Sequence, residues 1–245
     1  MPLAQKPTLT VVMPACNEEG CLETSIRSLV RHIDRLKIDT EILIVDDQSE
    51  DNTYALAEGL AAGDARIRIV RHLARLGIGG GFLTGVREAR GELVILIPAD
   101  LPLDLAELPT YLEAAQQADI VVGVCRRHSD YSLFRRLVHE ANILLVRWLF
   151  DMKLRQFQYI CLYRMDVLRQ FQIEYWHSAF FHAEILIKAA DLGRRLVEVE
   201  VTGAPRSSGR ATGARWGLIV RTLGDIGRFW IRWKWYDGKS RRKAA

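Results

Sequence analysis

Short apolar runs alternate with amphipathic segments along the first half of the chain. Runs rich in β-branched residues predict buried strands at 8–13, 41–45, 66–71, 93–97 and 119–124. Between them, a 3.6-residue periodicity predicts a helix after Asn17, helices at 52–62 and 105–117, and a helix that follows a glycine-rich turn and ends at Ala89. This alternation with short links predicts an α/β fold, in which a mostly parallel sheet is flanked by helices.

The second half of the chain departs from this regular alternation. Its patterns predict a long helix at 132–150, a strand at 157–163, a helix at 181–192 and a strand at 196–201. A loop rich in Gly, Ser and Arg, 205–213, precedes a final helix at 216–236. We see no internal repeat and no low-complexity linker.

The final helix pattern is amphipathic. Its charged residues Arg221, Asp225, Arg228 and Arg232 fall on one face, and apolar residues, including several Trp, fill the rest. Trp and basic residues beside an apolar face suit a helix that lies on a membrane surface. Packing against the domain, or against another subunit of a possible homo-oligomer, explains the pattern equally well. The pattern at 132–150 offers a second such face, for which core packing is favoured.

Composition and charge narrow the class of protein. The 245 residues are 49% hydrophobic and 26% charged, and the formal net charge of +4 does not favour nucleic acid as a partner. The four cysteines form no Cys-x-x-Cys pair, so structural zinc is not expected and a reducing cytoplasm is favoured. We find neither a leader pattern nor a long uncharged apolar run, so we expect no signal peptide and no transmembrane helix.

Polar residues gather where the predicted strands end. Ligands of such sheets bind beyond the carboxyl ends of the strands, so residues 14–19, Asp46 with Asp47, Asp100, and Arg126 with Arg127 are expected around one cleft.

The acids beside this cleft have two interpretations. Asp46 and Asp47 can accept hydrogen bonds from a nucleobase or a ribose, or can serve only as turn and cap residues. Asp51 is predicted to cap the following helix, and Asp104 the helix that starts at 105.

The glycine-rich stretch at 77–82 does not match the dinucleotide fingerprint G-x-G-x-x-G. Gly77 and Gly79 fit, but Phe82 occupies the last position, and the stretch follows the third strand instead of the first. A turn that lets a ligand approach the backbone is the favoured interpretation, with a plain loop as the alternative.

Several stretches together resemble the family 2 glycosyltransferases of GT-A fold. They read VVMPACNEE at 11–19, IVDDQSED at 44–51 and, after the glycines of 77–85, PAD at 98–100, and the likeness covers roughly 8–125. FFHAEILIKA at 180–189 and PRSSGRATGA at 205–214 further resemble the branch with dolichyl-phosphate mannose synthase and bacterial polyprenyl-phosphate glycosyltransferases.

The resemblance implies an inverting enzyme that moves a hexose from a nucleotide diphosphate sugar to a polyprenyl phosphate. It would be cytoplasmic and peripheral, at the inner face of the membrane. We expect a GT-A domain over 1–213, with a nucleotide-binding half at about 8–125 and an acceptor half at about 126–213. An amphipathic helix and basic tail follow at 214–245.

The resemblance also implies roles for individual residues. Those implied to hold the nucleotide are Pro14, Asn17, Glu19, Asp46, Asp47, Gly77, Gly79, Ala99 and Asp100. Those implied to hold the acceptor phosphate are Arg126, Arg127, Arg206, Ser208 and Arg210. Asp100, Arg126 and Arg206 are the catalytic candidates, and His182 and Glu184 are further cleft residues.

The chain departs from the family pattern at positions that bear on metal binding. Pro98 and Pro102 replace usual ligands around Asp100, Arg75 replaces a usual Asn, and an acid usual near 155–158 is missing. Mg²⁺ or Mn²⁺ would then be held by Asp100 and the diphosphate oxygens. Two alternatives stay open: a transferase with a soluble small-molecule acceptor, and a catalytically degenerate protein that binds a nucleotide sugar or a partner.

Overall fold

The computed structural model describes residues 7–125, 133–203 and 216–234. Within them seven strands form one sheet: β1 (Leu9–Ala15), β2 (Thr40–Asp46), β3 (Ile67–Arg71), β4 (Leu93–Leu96), β5 (Ile120–Cys125), β6 (Cys161–Arg164) and β7 (Leu196–Val201). The helices are α1 (Leu22–Leu36), α2 (Thr53–Gly63), α3 (Gly77–Glu88), α4 (Leu108–Ala114), α5 (Leu133–Phe150), α6 (Met165–Leu168), α7 (Phe181–Asp191) and α8 (Trp216–Arg232), with a 3₁₀ helix at Leu105–Glu107.

The sheet has the order β3-β2-β1-β4-β6-β5-β7. Neighbouring strands pair in parallel except at β6, which runs antiparallel between β4 and β5. Parallel pairs need crossover connections, and the helices between the strands supply them. The predicted α/β fold with a mostly parallel sheet flanked by helices is therefore confirmed.

Each face of the sheet carries its own apolar core. Along β2, Ile42 and Ile44 belong to one core and Leu43 and Val45 to the other, because successive side chains of a strand point to opposite faces. All seven residues of β2 are buried, which fits a parallel strand covered by helices on both sides.

Some predicted boundaries were wrong. The predicted strand at 157–163 is shorter and shifted, since β6 begins at Cys161; the preceding Phe157 and Ile160 are apolar because they are buried in the cores, not because they pair in the sheet. The predicted helix at 105–117 splits into the 3₁₀ helix and α4, with Pro109 in the first turn of α4.

Helix α8 packs against the domain through Ile226 and Phe229. The ring of Phe229 lies 5.5 Å from that of Phe150 in α5. Asp225, on the face predicted to carry the charged residues, is buried and binds Arg228 at 3.3 Å. The side of α8 that packs against the domain therefore includes part of the predicted charged face.

The outer side of α8 bears an exposed apolar stripe. Trp216, Val220, Leu223 and Ile231 line it, at intervals that place them along one side of the helix. Among the described helices, none is both long enough and apolar enough to cross a membrane.

Candidate active site

The carboxyl ends of β1 and β2 lie side by side and form the floor of the candidate site. Ala15 pairs with Asp46 at the last position of the parallel register. The backbone N–H of Asp47 then donates to the carbonyl oxygen of Ala15 at 2.8 Å. Pro14, predicted to contact the nucleotide, belongs to this end of β1.

Asp46 is fully buried, and its two carboxylate oxygens differ. Oδ2 accepts a hydrogen bond from the N–H of Ser49 at 3.3 Å and lies 3.3 Å from Nε of Arg71. Oδ1 has no hydrogen-bond partner among the described residues. Burying a charged acceptor without a hydrogen-bond donor costs free energy. This oxygen therefore fits a ligand that supplies an N–H or O–H group.

Arg71 and Tyr54 stand beside Asp46 and were not predicted. The guanidinium of Arg71 lies 4.4 Å from the centre of the Tyr54 ring, in cation–π geometry, and also donates to the carbonyl oxygen of Ser49 at 3.3 Å. The signal that could have revealed Arg71 is the strand register, in which it is the direct partner of Asp46.

Asp47 has both of its oxygens occupied within the protein. Oδ1 accepts from the N–H of Leu76 at 2.8 Å and contacts Nδ1 of His72 at 2.8 Å, and Oδ2 accepts from the N–H of Gly77 at 2.7 Å. His72 in turn contacts Oγ1 of Thr84 in α3 at 2.8 Å. Asp47 therefore holds the beginning of α3, where the unsatisfied N–H groups of the helix favour an anion.

Asn17 and Glu19 connect the loop after β1 to the loop after β2. Oδ1 of Asn17, which has a positive φ of 57°, accepts from the N–H of Glu50 at 2.8 Å. Glu19 accepts from the N–H of Asn52 at 3.0 Å and donates its own N–H to Asp51 at 3.2 Å. The bonds between these loops, which we call the loop latch, hold the two loops together. Asp51 also accepts from the N–H of the first residue of α2, so its predicted capping role is confirmed.

The glycine-rich stretch forms the first turns of α3, so the prediction of a turn open to a ligand was wrong. A Cβ on Gly79 would collide with the carbonyl oxygen of Trp176, and one on Gly81 would lie 3.1 Å from Cβ of Pro14. The missing side chains at these positions allow α3 to pack closely on other parts of the protein. Gly77 begins the helix with a φ of 75°.

The segment after β4 is a tight turn. Ala99 is buried, donates its N–H to the carbonyl oxygen of Pro14 at 3.3 Å, and accepts from Oγ of Ser25 at 2.6 Å. Asp100 is half-buried beside it. Asp104 accepts from the N–H of Ala106 at 3.0 Å, so its predicted capping role is confirmed.

The donor set near Asp100 is poor for a divalent cation. No group of three or more His, Cys, Asp or Glu side chains suited to a metal occurs among residues 7–125, 133–203 and 216–234. Because Mg²⁺ and Mn²⁺ need several oxygen ligands, these residues do not fit a cation held by the protein alone.

His182 and Glu184 lie on α7 and are buried. Burial lowers the pKa of His182 to about 4, so the ring is neutral near pH 7, and its Nδ1 lies 3.3 Å from the hydroxyl of Tyr163. Glu184 accepts from the N–H groups of Glu174 at 2.9 Å and Tyr175 at 2.8 Å. Glu184 therefore shapes the segment beside it through contacts within the chain.

The remaining predicted residues lie outside the described part of the chain. They are Arg126, Arg127, Arg206, Ser208 and Arg210. Their roles, like those of the other predicted site residues, stay predictions.

Comparisons with known proteins agree with the resemblance seen in the sequence. The protein is 28% identical over 238 residues to the undecaprenyl-phosphate mannosyltransferase of Micrococcus luteus. This match covers 87% of this chain and 95% of that protein. It is 29% identical over 216 residues to the undecaprenyl-phosphate 4-deoxy-4-formamido-L-arabinose transferase of Aeromonas hydrophila. That match covers 86% of this chain and 63% of the relative, so the chain spans less than two thirds of its length.

Solved structures share the fold at low sequence identity. Glucosyl-3-phosphoglycerate synthase from Mycobacterium tuberculosis, in complex with phosphoglyceric acid, matches with a TM-score of 0.69 and 18% identity over 90% of this chain and 79% of that chain. The mannosyltransferase PcManGT from Pyrobaculum calidifontis, in complex with GDP-Man and Mn²⁺, matches with a TM-score of 0.65 and 19% identity over 92% of this chain and 65% of that chain. The expected GT-A fold is confirmed.

The family model for glycosyl transferase family 2 matches residues 10–182, which is more than half of the chain. The protein therefore belongs to glycosyl transferase family 2.

Proposed function

We propose that the protein is an inverting transferase that moves a hexose from a nucleotide diphosphate sugar to a polyprenyl phosphate. The observation that carries the proposal is the buried Oδ1 of Asp46, which lacks a partner at the carboxyl edge of the sheet. The names of its relatives, which are undecaprenyl-phosphate transferases, support this class of acceptor.

In this proposal the nucleobase lies against Asp46. A ring N–H of the base donates to Oδ1, and the neighbouring guanidinium of Arg71 can donate to a carbonyl oxygen of the base. The loop latch of Asn17 and Glu19 keeps the two loops at a fixed separation. Asp47 acts on the site indirectly, because its carboxylate binds the N–H of Gly77 and so holds the beginning of α3.

The proposed reaction is a displacement at the anomeric carbon. An oxygen of the acceptor phosphate forms a bond to this carbon, and the bond from the carbon to the nucleotide diphosphate breaks. The nucleotide diphosphate leaves with the electron pair, and the configuration at the carbon inverts. The acceptor phosphate is already an anion near neutral pH, so no general base has to remove a proton.

Holding two anions together is then the main catalytic task. Arginine suits it because the planar guanidinium binds phosphate through two parallel hydrogen bonds. Arg126, Arg206 and Arg210 are our candidates for the acceptor phosphate, and Asp100 for the sugar–diphosphate side. We assign no step to a metal, because the described residues do not fit a cation held by the protein alone; a requirement for Mg²⁺ or Mn²⁺ stays a prediction.

A lipid-linked acceptor requires the enzyme to work at a bilayer, and we place it at the inner face of the membrane. The exposed apolar stripe of α8 supports this placement, with Arg221 and Arg228 beside it. On α5, Leu137, Leu144 and Trp148 form a second exposed stripe. Apolar side chains flanked by basic ones suit the surface of an anionic bilayer.

Transfer itself is tested with radiolabelled nucleotide sugars and a polyprenyl phosphate. The expected product is a labelled lipid that extracts into organic solvent. Labelled product that stays in water, with a soluble phosphorylated acceptor, would replace the lipid acceptor by a small molecule. Nucleotide binding by calorimetry without turnover on any acceptor would favour a degenerate binding protein instead.

Membrane placement is tested by sedimentation with vesicles of anionic phospholipid. Leu223→Glu on the stripe of α8 should release the protein from the vesicles. Leu192→Glu is the matched control, since Leu192 is similarly exposed but lies at the end of α7. Equal binding of both variants and the wild type would contradict the placement.

A further inference from the structure

Residues 172–176, which we call the clamp segment, are fastened to two helices by charge. The carboxylate of Glu174 binds the guanidinium of Arg232 in α8 through both oxygens, and it binds Nζ of Lys188 in α7 at 2.8 Å. Both cations hold the pKa of Glu174 at about 2, so the carboxylate is charged near neutral pH. Next to it, the ring of Tyr175 stands edge-on to that of Phe229 in α8, at 5.7 Å.

The other end of the clamp segment lies on α3. The carbonyl oxygen of Trp176 packs over Gly79 so closely that a Cβ there would collide with it, and a Cβ on Gly80 would lie 3.2 Å from the Trp176 ring. The same turn of α3 is bound to Asp47 by the N–H of Gly77. The clamp segment thus spans the distance from α8 to the helix that begins beside Asp46 and Asp47.

The backbone of the clamp segment is also bound by a side chain of α7. Glu184, with a fully buried side chain, accepts from two of its N–H groups and binds Lys188 at 2.7 Å. Because Glu184 holds the N–H groups of both Glu174 and Tyr175, we expect these residues and the adjoining Trp176 to move as one unit.

We propose that Glu174 is a positioning residue that couples α8 to the first turn of α3. When the Glu174–Arg232 pair is intact, Trp176 holds α3 against the sheet edge. When the pair is broken, this turn loosens, although no residue of the predicted nucleotide site has changed. The effect on the reaction rests on the proposed function: donor affinity depends on how firmly α8 is held.

Hydrogen exchange tests the coupling in the protein without any ligand. In Glu174→Gln, the amides of 77–82 should exchange about fivefold faster than in the wild type. Glu23→Gln is the control, because it makes the same change in an exposed pair with Arg27 on α1 and should leave these amides unchanged. Faster exchange in α8 alone, or unchanged exchange throughout, would overturn the proposal.

Arg232→Gln breaks the same ion pair by changing its partner on α8. It is the second variant to measure if Glu174→Gln folds poorly. It should speed exchange at 77–82 by a similar factor, and the double variant should add little. Additive effects of the two changes would show that the residues act separately and would overturn the coupling.

Kinetics test the consequence for the reaction. In Glu174→Gln the KM for the donor should rise about fivefold with kcat nearly unchanged, because the reacting groups are not altered. A fall in kcat with an unchanged donor KM would overturn the positioning role. Absence of turnover in the wild type would instead refute the proposed function, and the exchange measurement would still decide the coupling.

Discussion

Two regions of this protein bury carboxylates, and they satisfy them differently. At the junction of α7, α8 and the clamp segment, Glu184 accepts from two backbone N–H groups and from Lys188. At the carboxyl edge of the sheet, Asp46 is buried just as completely, yet its Oδ1 lacks a partner among the described residues. The difference indicates that the junction is built for stability and the edge for a ligand.

The largest effect on the free energy of unfolding should come from a substitution at the junction. Glu184→Gln places an amide N–H₂ against backbone donors and leaves Lys188 with the partly exposed Glu174 as its remaining carboxylate partner. We expect the free energy of unfolding to fall by about 3–5 kcal/mol. Urea unfolding measures this, with Glu23→Gln, which should change it by less than about 0.5 kcal/mol, as the control. A loss as small as that of the control would mean that the junction does not stabilise the fold.

A substitution at the carboxyl edge of the sheet should change the affinity for nucleotides. Asp46→Asn replaces an anionic acceptor by a neutral amide, and we expect affinity for UDP or GDP to fall by about 2 kcal/mol, or roughly 30-fold. The free energy of unfolding should change by less than about 1 kcal/mol, since Oδ1 of Asp46 makes no hydrogen bond among the described residues that the substitution could remove. Calorimetry and urea unfolding measure the two quantities. Unchanged affinity for every nucleotide tested would remove Asp46 from the proposed base site.

Asp47 sharpens the comparison, because it adjoins Asp46 yet resembles Glu184 in having both oxygens occupied. Asp47→Asn should lower the free energy of unfolding by about 1.5 kcal/mol through the lost bonds to the beginning of α3. Its effect on nucleotide affinity should be smaller than that of Asp46→Asn. If Asp47→Asn weakens binding more than Asp46→Asn does, the two acids have exchanged the roles that we assign.

The smallest effect concerns the pH dependence of the junction. The folded-state pKa of Glu174 is about 2, below its ordinary value of 4.5, mainly because of Arg232 and then Lys188. Its contribution to stability is therefore present above about pH 4.5 and is lost as the pH falls toward 2. Since Glu174 is partly exposed, we expect at most about 1 kcal/mol.

Thermal unfolding of the wild type and of Glu174→Gln across this pH range tests the dependence. The difference in Tm should shrink steadily as the pH falls below 4.5. A difference that is constant with pH would show that the carboxylate charge does not matter.

The sequence was informative wherever a local pattern decides the structure. The apolar runs predicted the parallel strands, and the motif at 44–51 predicted which edge of the sheet carries the acids. Asp51 and Asp104 were correctly assigned as caps, because capping depends on neighbours in the chain.

Contacts between distant segments could not be predicted in the same way. Asp46 and Asp47 look alike in the sequence, and only their partners on β3 and α3 distinguish them. Arg71 needed the strand register, and the glycines of α3 needed Trp176, which lies far along the chain. The burial of Asp225 could not be predicted, because helical periodicity identifies a face but not what packs against it.

The loop latch has a consequence for the kinetics of nucleotide binding. Since Asn17 and Glu19 already join the loops after β1 and β2, a nucleotide bound at the proposed base site would find these loops preorganised and would remove little loop entropy. Related nucleotides should then associate at similar rates. Discrimination among them would appear in how long each one stays bound, and stopped-flow measurements of dissociation would detect it.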